Sequence, residues 1–414
     1  MAEKVGLKTN FSKVNHVVND EKVDRRINLN SLLVVLAEPI SGWVEKGEII
    51  DRYFNPSNTF DHVNIFLLND DTPDEKSVKR LVGDADFRIY NFPAGPKLFL
   101  LTLGWRPTLM GVWTHKIVTK VKELNPQVIR CYSAHLNIEV ARRVKKNFGI
   151  PYYVSLHINP DADLNTKGTV KQRIARKAIK RIELLGLRNA DLVLPVYSTI
   201  IPFLESKGIV NFDVSYNMTN KENLKRKINY SLSSPAEILS VGRQFTDKDP
   251  SHIISAVALI PNTHLTLVGD GPLHNSLRLK VSQLNIEDRV TFIRTTSNDE
   301  ICQRLALADI FVIQSKFREI PKTVLEALLT GTPTIINSDL GDNVMEFSKD
   351  IVQYAPNSIE GYKQAIQGLL HDNRRREQIG LSGYYFAAKT FSSKDTESKF
   401  ARLYSRYVNG QLLD

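Results

Sequence analysis

Short, wholly apolar runs bounded by glycine and proline recur along this chain. The first, Leu32-Leu33-Val34-Val35-Leu36-Ala37, breaks at Pro39, Gly42 and Gly47. A run without polar alternation predicts a parallel strand covered on both faces, here leading into a glycine-containing loop. Further strands are predicted at Val63 to Leu68, Val128 to Cys131, Tyr152 to His157 and Asp191 to Pro195, with amphipathic helical stretches between most of them. That alternation is the pattern of repeated βαβ units. A polar segment, Asn217 to Pro235, interrupts it, and strands resume at Ile238 to Val241, Leu265 to Val268, Val290 to Ile293, Ile310 to Ile313 and Thr334 to Ile336. In Thr390 to Val408 the positions Phe391, Phe400, Leu403, Tyr404 and Tyr407 fall on one helical face, which predicts a helix packed against something large.

The expected fold is α/β, with two Rossmann-like doubly wound domains facing a central cleft. A chain of 414 residues exceeds what one core fills. The expected divisions are a polar arm at 1–30, a first domain at 31–216, a linker at 217–235, a second domain at 236–390 and a helix within 391–414 that crosses back to the first domain. Ligands of such sheets bind at the carboxyl ends of the strands.

Charge and cysteine content narrow the partners. The net charge of +10 favours a partner bearing phosphates, which leaves nucleotide diphosphates, anionic lipid and nucleic acid. With no Cys/His finger, aromatic RNP strand or clear helix-turn-helix in the sequence, nucleic acid is set aside. The 2 cysteines have no paired spacing and no neighbouring histidine cluster, which points to a reducing cytoplasm and no zinc site. No run reaches the ~18 apolar residues of a membrane span, and residues 1–30 lack the apolar core of a signal peptide.

Three clusters carry candidate chemistry. Ser240-Val241-Gly242-Arg243, with Lys248 following, stands at the carboxyl end of a predicted strand. A guanidinium and an ammonium there suit a diphosphate leaving group, although the same residues also suit a solvated basic loop. Val268-Gly269-Asp270-Gly271-Pro272 lets the backbone approach a ligand or simply turns the chain. In Glu319-Ile320-Pro321-Lys322-Thr323-Val324-Leu325-Glu326-Ala327, Pro321 suits the first turn of a helix whose N-terminus favours phosphate. Glu326 is suited to accept hydrogen bonds from both ribose hydroxyls and Glu319 from sugar hydroxyls; the alternative for each is an acid answering the helix dipole. His157, at a strand end, is either functional or a structural histidine.

Taken together, Val241-Gly242-Arg243 with Lys248, Val268 to Pro272, Ala308-Asp309-Ile310-Phe311-Val312 and Pro321 to Ala327 followed by Gly331-Thr332-Pro333 resemble glycosyltransferase family 4. Pro39-Ile40-Ser41-Gly42-Trp43, Ser155-Leu156-His157 and Ala190 to Ser198 resemble it more faintly. The resemblance implies a GT-B fold, with acceptor binding in the first domain and nucleotide-sugar binding in the second, and metal-independent transfer with retention at the anomeric carbon. It implies catalytic roles for His157, Arg243, Lys248 and Glu319, and donor binding by Gly42, Gly269, Arg294, Pro321, Lys322, Thr323 and Glu326. Arg243 and Lys248 then hold the diphosphate, Glu326 the ribose, the Arg294 region the base, and Gly42 the loop that closes over the phosphates. No metal or resident cofactor is implied; a UDP- or GDP-linked sugar is the donor. One departure stands out: Glu319 and Glu326 lie one residue closer than the family pattern, which puts Arg318 at the expected first position.

The eight basic residues between Lys167 and Arg188 share a segment with Val170, Ile174, Ile182 and Leu185 at near-helical intervals. Such a helix either covers the first sheet or docks to an anionic membrane where a lipid-linked acceptor resides. The resulting expectation is a cytoplasmic enzyme, peripheral on the inner face of a membrane, acting in polysaccharide or glycolipid assembly on a glycan or lipid-linked acceptor. The rival readings are a catalytically silent GT-B protein that binds a nucleotide sugar or partners another transferase, and a sugar-nucleotide epimerase or phosphorylase-like enzyme.

Overall fold

The computed structural model describes residues 30–45, 47–94, 107–161, 170–218, 224–316, 320–338 and 346–408, with side chains left out at 107–112 and 170–178. The first sheet comprises β1 (Ser31–Leu36), β2 (His62–Leu67), β3 (Asp86–Asn91), β4 (Val128–Tyr132), β5 (Tyr152–Leu156) and β6 (Leu192–Pro195). The second comprises β7 (Ala236–Val241), β8 (Thr263–Val268), β9 (Val290–Ile293), β10 (Ile310–Ile313), β11 (Thr334–Ser338) and β12 (Gln353–Pro356). Their orders, β3-β2-β1-β4-β5-β6 and β12-β11-β10-β7-β8-β9, are the same doubly wound order read in opposite directions. All the pairings within these sheets are parallel.

The central strands are those the apolar runs predict, to within a residue or two. Every residue of β1, β4 and β5 is buried, as strands between two helical layers must be. Two strands escape the pattern, β3 (DFRIYN) and β12 (QYAP), and both lie at sheet edges where much of the strand stays accessible. An edge strand needs no continuous apolar run.

The helix Ser393–Val408 lies on the first sheet. Phe400, Leu403 and Tyr404 enter a core with Leu32, Val34, Phe54, Phe60, Tyr132 and Tyr153. Tyr407 Oη hydrogen-bonds Tyr153 Oη at 2.9 Å, and the Arg52–Glu397 pair at 2.8 Å closes the edge.

The segment 217–235, expected as a linker, is anchored to the second domain at single residues of its described part. Lys227 and Tyr230 are buried; Lys227 Nζ donates to Ala308 O at 2.9 Å and Tyr230 Oη to Gly331 O at 2.9 Å. Arg376 holds Tyr230 O with Nε and Nη2 at 3.0 and 2.8 Å. Single polar groups on otherwise solvated text anchor it, which a composition reading passes over. No helix among the described residues is long and apolar enough to cross a membrane.

Candidate functional site

In the second sheet the connections change direction between β7 and β10, and a cavity opens at the carboxyl ends of that pair. Ser240, Val241, Gly242, Gln244, Lys248, Ile313 and Gln314 line it. This is the switch point at which ligands of doubly wound sheets bind. The loop after β7 is held to β10: Gln314 Oε1 accepts from Asp249 N at 2.6 Å, and Lys316 N donates to Asp247 O at 2.8 Å. Lys248 is thereby set into the cavity wall, while Arg243 stays exposed at the rim with its guanidinium over the Phe245 ring at 5.3 Å.

Gly269 and Gly271 serve that loop from beneath. Gln244 N donates to Asp270 O and Gly242 N to Val268 O, both at 2.9 Å. A Cβ on Gly269 would lie 2.0 Å from Gly242 O, and one on Gly271 2.2 Å from Gln244 O, at φ values of +139° and +156°. The structure thus gives Gly269 a packing duty: the two glycines let two loops meet backbone to backbone. Gln244 locks the arrangement by donating to Gly269 O at 2.8 Å and bonding His274 Nδ1 at 2.9 Å.

The helix Lys322–Thr330 follows the same edge of β10. Pro321 is its N-cap, one position before the predicted first turn, with ψ at 143°. Its N-terminal turn therefore opens with Lys322 and Thr323, both partly exposed, while Val324 to Thr330 are buried. Glu326 is 2% exposed. Its Oε1 accepts from Asn298 Nδ2 at 2.9 Å and lies 3.7 Å from Lys322 Nζ, whereas Oε2 is buried with no hydrogen-bond partner. Burial raises the Glu326 pKa, against the opposing pull of Lys322 and Asn298. Lys322 Nζ also lies 3.6 Å from Glu48 Oε1, so a first-domain loop meets this helix across the cleft. Glu319 and Arg318 lie outside the described residues.

On the opposing wall His157 follows β5 directly. Its ring stacks on Tyr132 with centroids 6.4 Å apart, and burial, assisted by the Arg130 charge, lowers its pKa to about 4; a hydrogen bond with Asn217 opposes the shift. Gly42 corrects the sequence reading: it lies within a short helix, Ser41–Glu45, rather than in a loop. The helix forms because the Asp71 carboxylate takes both Ser41 N, at 3.0 Å, and Ser41 Oγ, at 2.5 Å. Arg294 is 59% exposed and is tied to Asp270 at 3.0 Å. Arg294 is thus fixed beside the glycine loop.

The family model for glycosyl transferases group 1 matches residues 221–385, which contain this whole second wall. Over these residues the chain is similar to the group 1 glycosyltransferases. Among curated proteins it is similar to the lipopolysaccharide core biosynthesis glycosyltransferases LpsD and LpsE of Rhizobium meliloti. LpsD is 30% identical over 181 residues, 43% of this chain and 52% of the relative; LpsE is 27% identical over 176 residues, 42% and 51%. These matches thus span about half the length of those relatives. Among solved structures it resembles sucrose-phosphate synthase from Thermosynechococcus elongatus, with a TM-score of 0.71 and 16% identity over 92% of this chain and 100% of that one. It also resembles Anabaena HepE in complex with UDP and glucose, with a TM-score of 0.68 and 18% identity over 90% and 99%. The fold is GT-B.

Within the second domain three side chains that shape the site were not singled out from sequence: Asn298, Gln314 and Gln244. Asn298 follows Ser297, which caps the next helix, so its position reads as a helix start and nothing in the local text tells of Glu326. Glu48, on the other wall, reads as a loop acid.

The basic helix also departs from its expected face. It spans Val170–Asn189 and, over its described side chains, turns Glu183, Gly186 and Leu187 inward, while Leu185 is 40% exposed. Glu183 pairs with His135 at 3.3 Å. The neighbouring helix Leu136–Phe148 presses so close that a Cβ on Gly186 would overlap Ile138, which selects a Gly186 face over a Leu185 face.

Proposed function

We propose that this protein transfers a sugar from a nucleotide-diphosphate sugar to a glycan or lipid-linked acceptor, with retention at the anomeric carbon and without a metal on the diphosphate. One observation carries the reading. Glu326 is a buried carboxylate with one oxygen held by Asn298 and the other unpartnered, in the helix that opens at Lys322 and 3.7 Å from the Lys322 ammonium. A buried acceptor atom left open costs stability unless a donor arrives, and a ribose hydroxyl is a donor of the right kind. The diphosphate is assigned to Arg243, Lys248 and the first-turn amides of Lys322 and Thr323, whose positive field offsets charge on the departing phosphate. His157, kept neutral, stands beside the transferred sugar as a hydrogen-bonding group. The leaving phosphate takes the acceptor proton in a front-face transfer.

The named activities of the relatives, lipopolysaccharide core glycosyltransferases, support polysaccharide or glycolipid assembly as the setting. The UDP complex of HepE supports a UDP-linked donor over a GDP-linked one. The basic segment Lys167 to Arg188 is assigned to an anionic membrane face, which vesicles of acidic lipid at low salt test by retaining or releasing the protein.

Calorimetry with UDP, GDP, ADP and CMP, on the wild type and Glu326→Ala, tests the donor assignment. Micromolar binding of one diphosphate, weakened by the substitution, is the expected result. No binding by any of the four defeats it. Turnover of the preferred nucleotide sugar with candidate acceptors then separates a transferase from a silent binder, and turnover with no acceptor present would indicate an epimerase.

A further inference from the structure

Arg130 is 1% exposed in the middle of β4. Val128, Arg130 and Tyr132 alternate onto the sheet face that the helix Ser393–Val408 covers, and the guanidinium lies over the Phe400 ring at 4.3 Å and the Tyr132 ring at 5.2 Å. Nη2 donates to Ser155 Oγ. Nε and Nη1 are buried with no hydrogen-bond partner, and so is Ser215 Oγ. All of these groups border one small cavity, together with Tyr53, Asn217 and Thr396.

An arginine keeps its proton at every physiological pH, so this charge cannot be shed by titration. The two rings stabilise the cation through their faces, but they accept none of its N–H bonds. A buried charge with two idle donors calls for a negatively charged acceptor. The cavity has room for about one water-sized group, which suits a monatomic anion better than a phosphate.

Its place in the chain adds a consequence. Ser215 and Asn217 lie where the chain leaves the first domain, and Thr396 and Phe400 on the helix that follows its return. Both segments meet over Arg130. We propose that the Arg130 cavity binds one halide-sized inorganic anion, which pins the two segments to the first sheet.

The test compares thermal unfolding of the full chain in chloride, bromide, phosphate and gluconate at one ionic strength. Bromide-soaked crystals are examined for anomalous scattering. Chloride and bromide are expected to raise the wild-type midpoint over gluconate by about 1 to 3 °C. Arg130→Met should abolish that difference and Ser215→Ala should reduce it. A bromide peak should stand within hydrogen-bond reach of Arg130 Nε and Nη1. Should Arg130→Met not fold, the wild-type peak and Ser215→Ala decide. Equal midpoints in chloride and gluconate, an unchanged halide response in Arg130→Met, or a phosphate response exceeding the halides with no bromide peak would each overturn the proposal.

Discussion

Asn298 Nδ2 donates to Glu326 Oε1 at 2.9 Å, which fixes one oxygen of a buried carboxylate and leaves Oε2 open. The amide joins two helices that are distant in sequence, Asn298–Leu307 and Lys322–Thr330. The carboxylate is therefore oriented before any ligand arrives, and its ligand needs only to supply donors.

Replacing that carboxylate should separate binding from stability. Burial raises the Glu326 pKa, so the folded chain holds the proton where the unfolded chain has released it. Its contribution is fully present below the ordinary glutamate range and is lost as pH rises through the raised value. Glu326→Gln should flatten that loss, leaving a protein at least as stable as the wild type at pH 7 by thermal unfolding. Its diphosphate affinity should fall by about tenfold or more, since a hydrogen bond to a charged group is worth roughly 1.5–3 kcal/mol. A variant that is both less stable and equally tight-binding would contradict the assignment.

His157 titrates at about 4, below its ordinary range, so the unfolded chain takes up this proton first. The stability it contributes is present above pH ~6.5 and is lost as pH falls through about 4. His157→Gln should lessen acid unfolding in that window. Rate profiles with donor and acceptor should show no histidine inflection between roughly pH 5 and 8 attributable to this residue; an inflection that vanishes in His157→Gln would refute a neutral imidazole.

The close loop contact under Lys248 predicts opposite signs at two kinds of glycine. Gly269→Ala and Gly271→Ala each force a Cβ into a carbonyl oxygen at a positive φ and should cost about 2–4 kcal/mol. Gly368→Ala, in a helix where nothing lies within 4 Å of the new Cβ, should stabilise by roughly 0.5–1 kcal/mol. Denaturant midpoints would show the contrast, and equal effects would dismiss the packing account.

Lys322 stands between acids on two domains, 3.6 Å from Glu48 and 3.7 Å from Glu326. On the proposed donor assignment a diphosphate would compete with Glu48 for that ammonium. Glu48→Gln should tighten nucleotide binding by a few-fold, with a stability change below about 1 kcal/mol because the pair is partly exposed. Lys322→Ala should weaken binding. Calorimetry on both variants reads the difference, and weaker binding in Glu48→Gln would mean that the contact assists the ligand.

The last helix should behave as part of the first domain. Tyr404 is 1% exposed among Phe60, Tyr153 and Phe400, so Tyr404→Ala is expected to cost about 3–5 kcal/mol. Amide exchange would locate the loss: faster exchange in β1 and β5 supports it, and a change confined to the second sheet does not.

By itself the sequence determined the two α/β units, their central strands and the glycine loops of the second domain. Fully buried parallel strands demand continuous apolar runs, and a backbone-contact loop demands glycine, so both are written locally. Only the tertiary structure decided the rest. The edge strands β3 and β12 carry no such run because most of their residues stay partly or fully accessible. Gly42 entered a helix because Asp71, far along the chain, caps Ser41. Asn298, Gln314 and Glu48 gained their places through partners that no local pattern names. Arg130 reads as one charge in an apolar strand. It became a buried cation only when Phe400, 270 positions later, closed over it. Contacts between residues distant in sequence depend on which faces the folded sheets present, and that is settled when the two domains and the final helix pack.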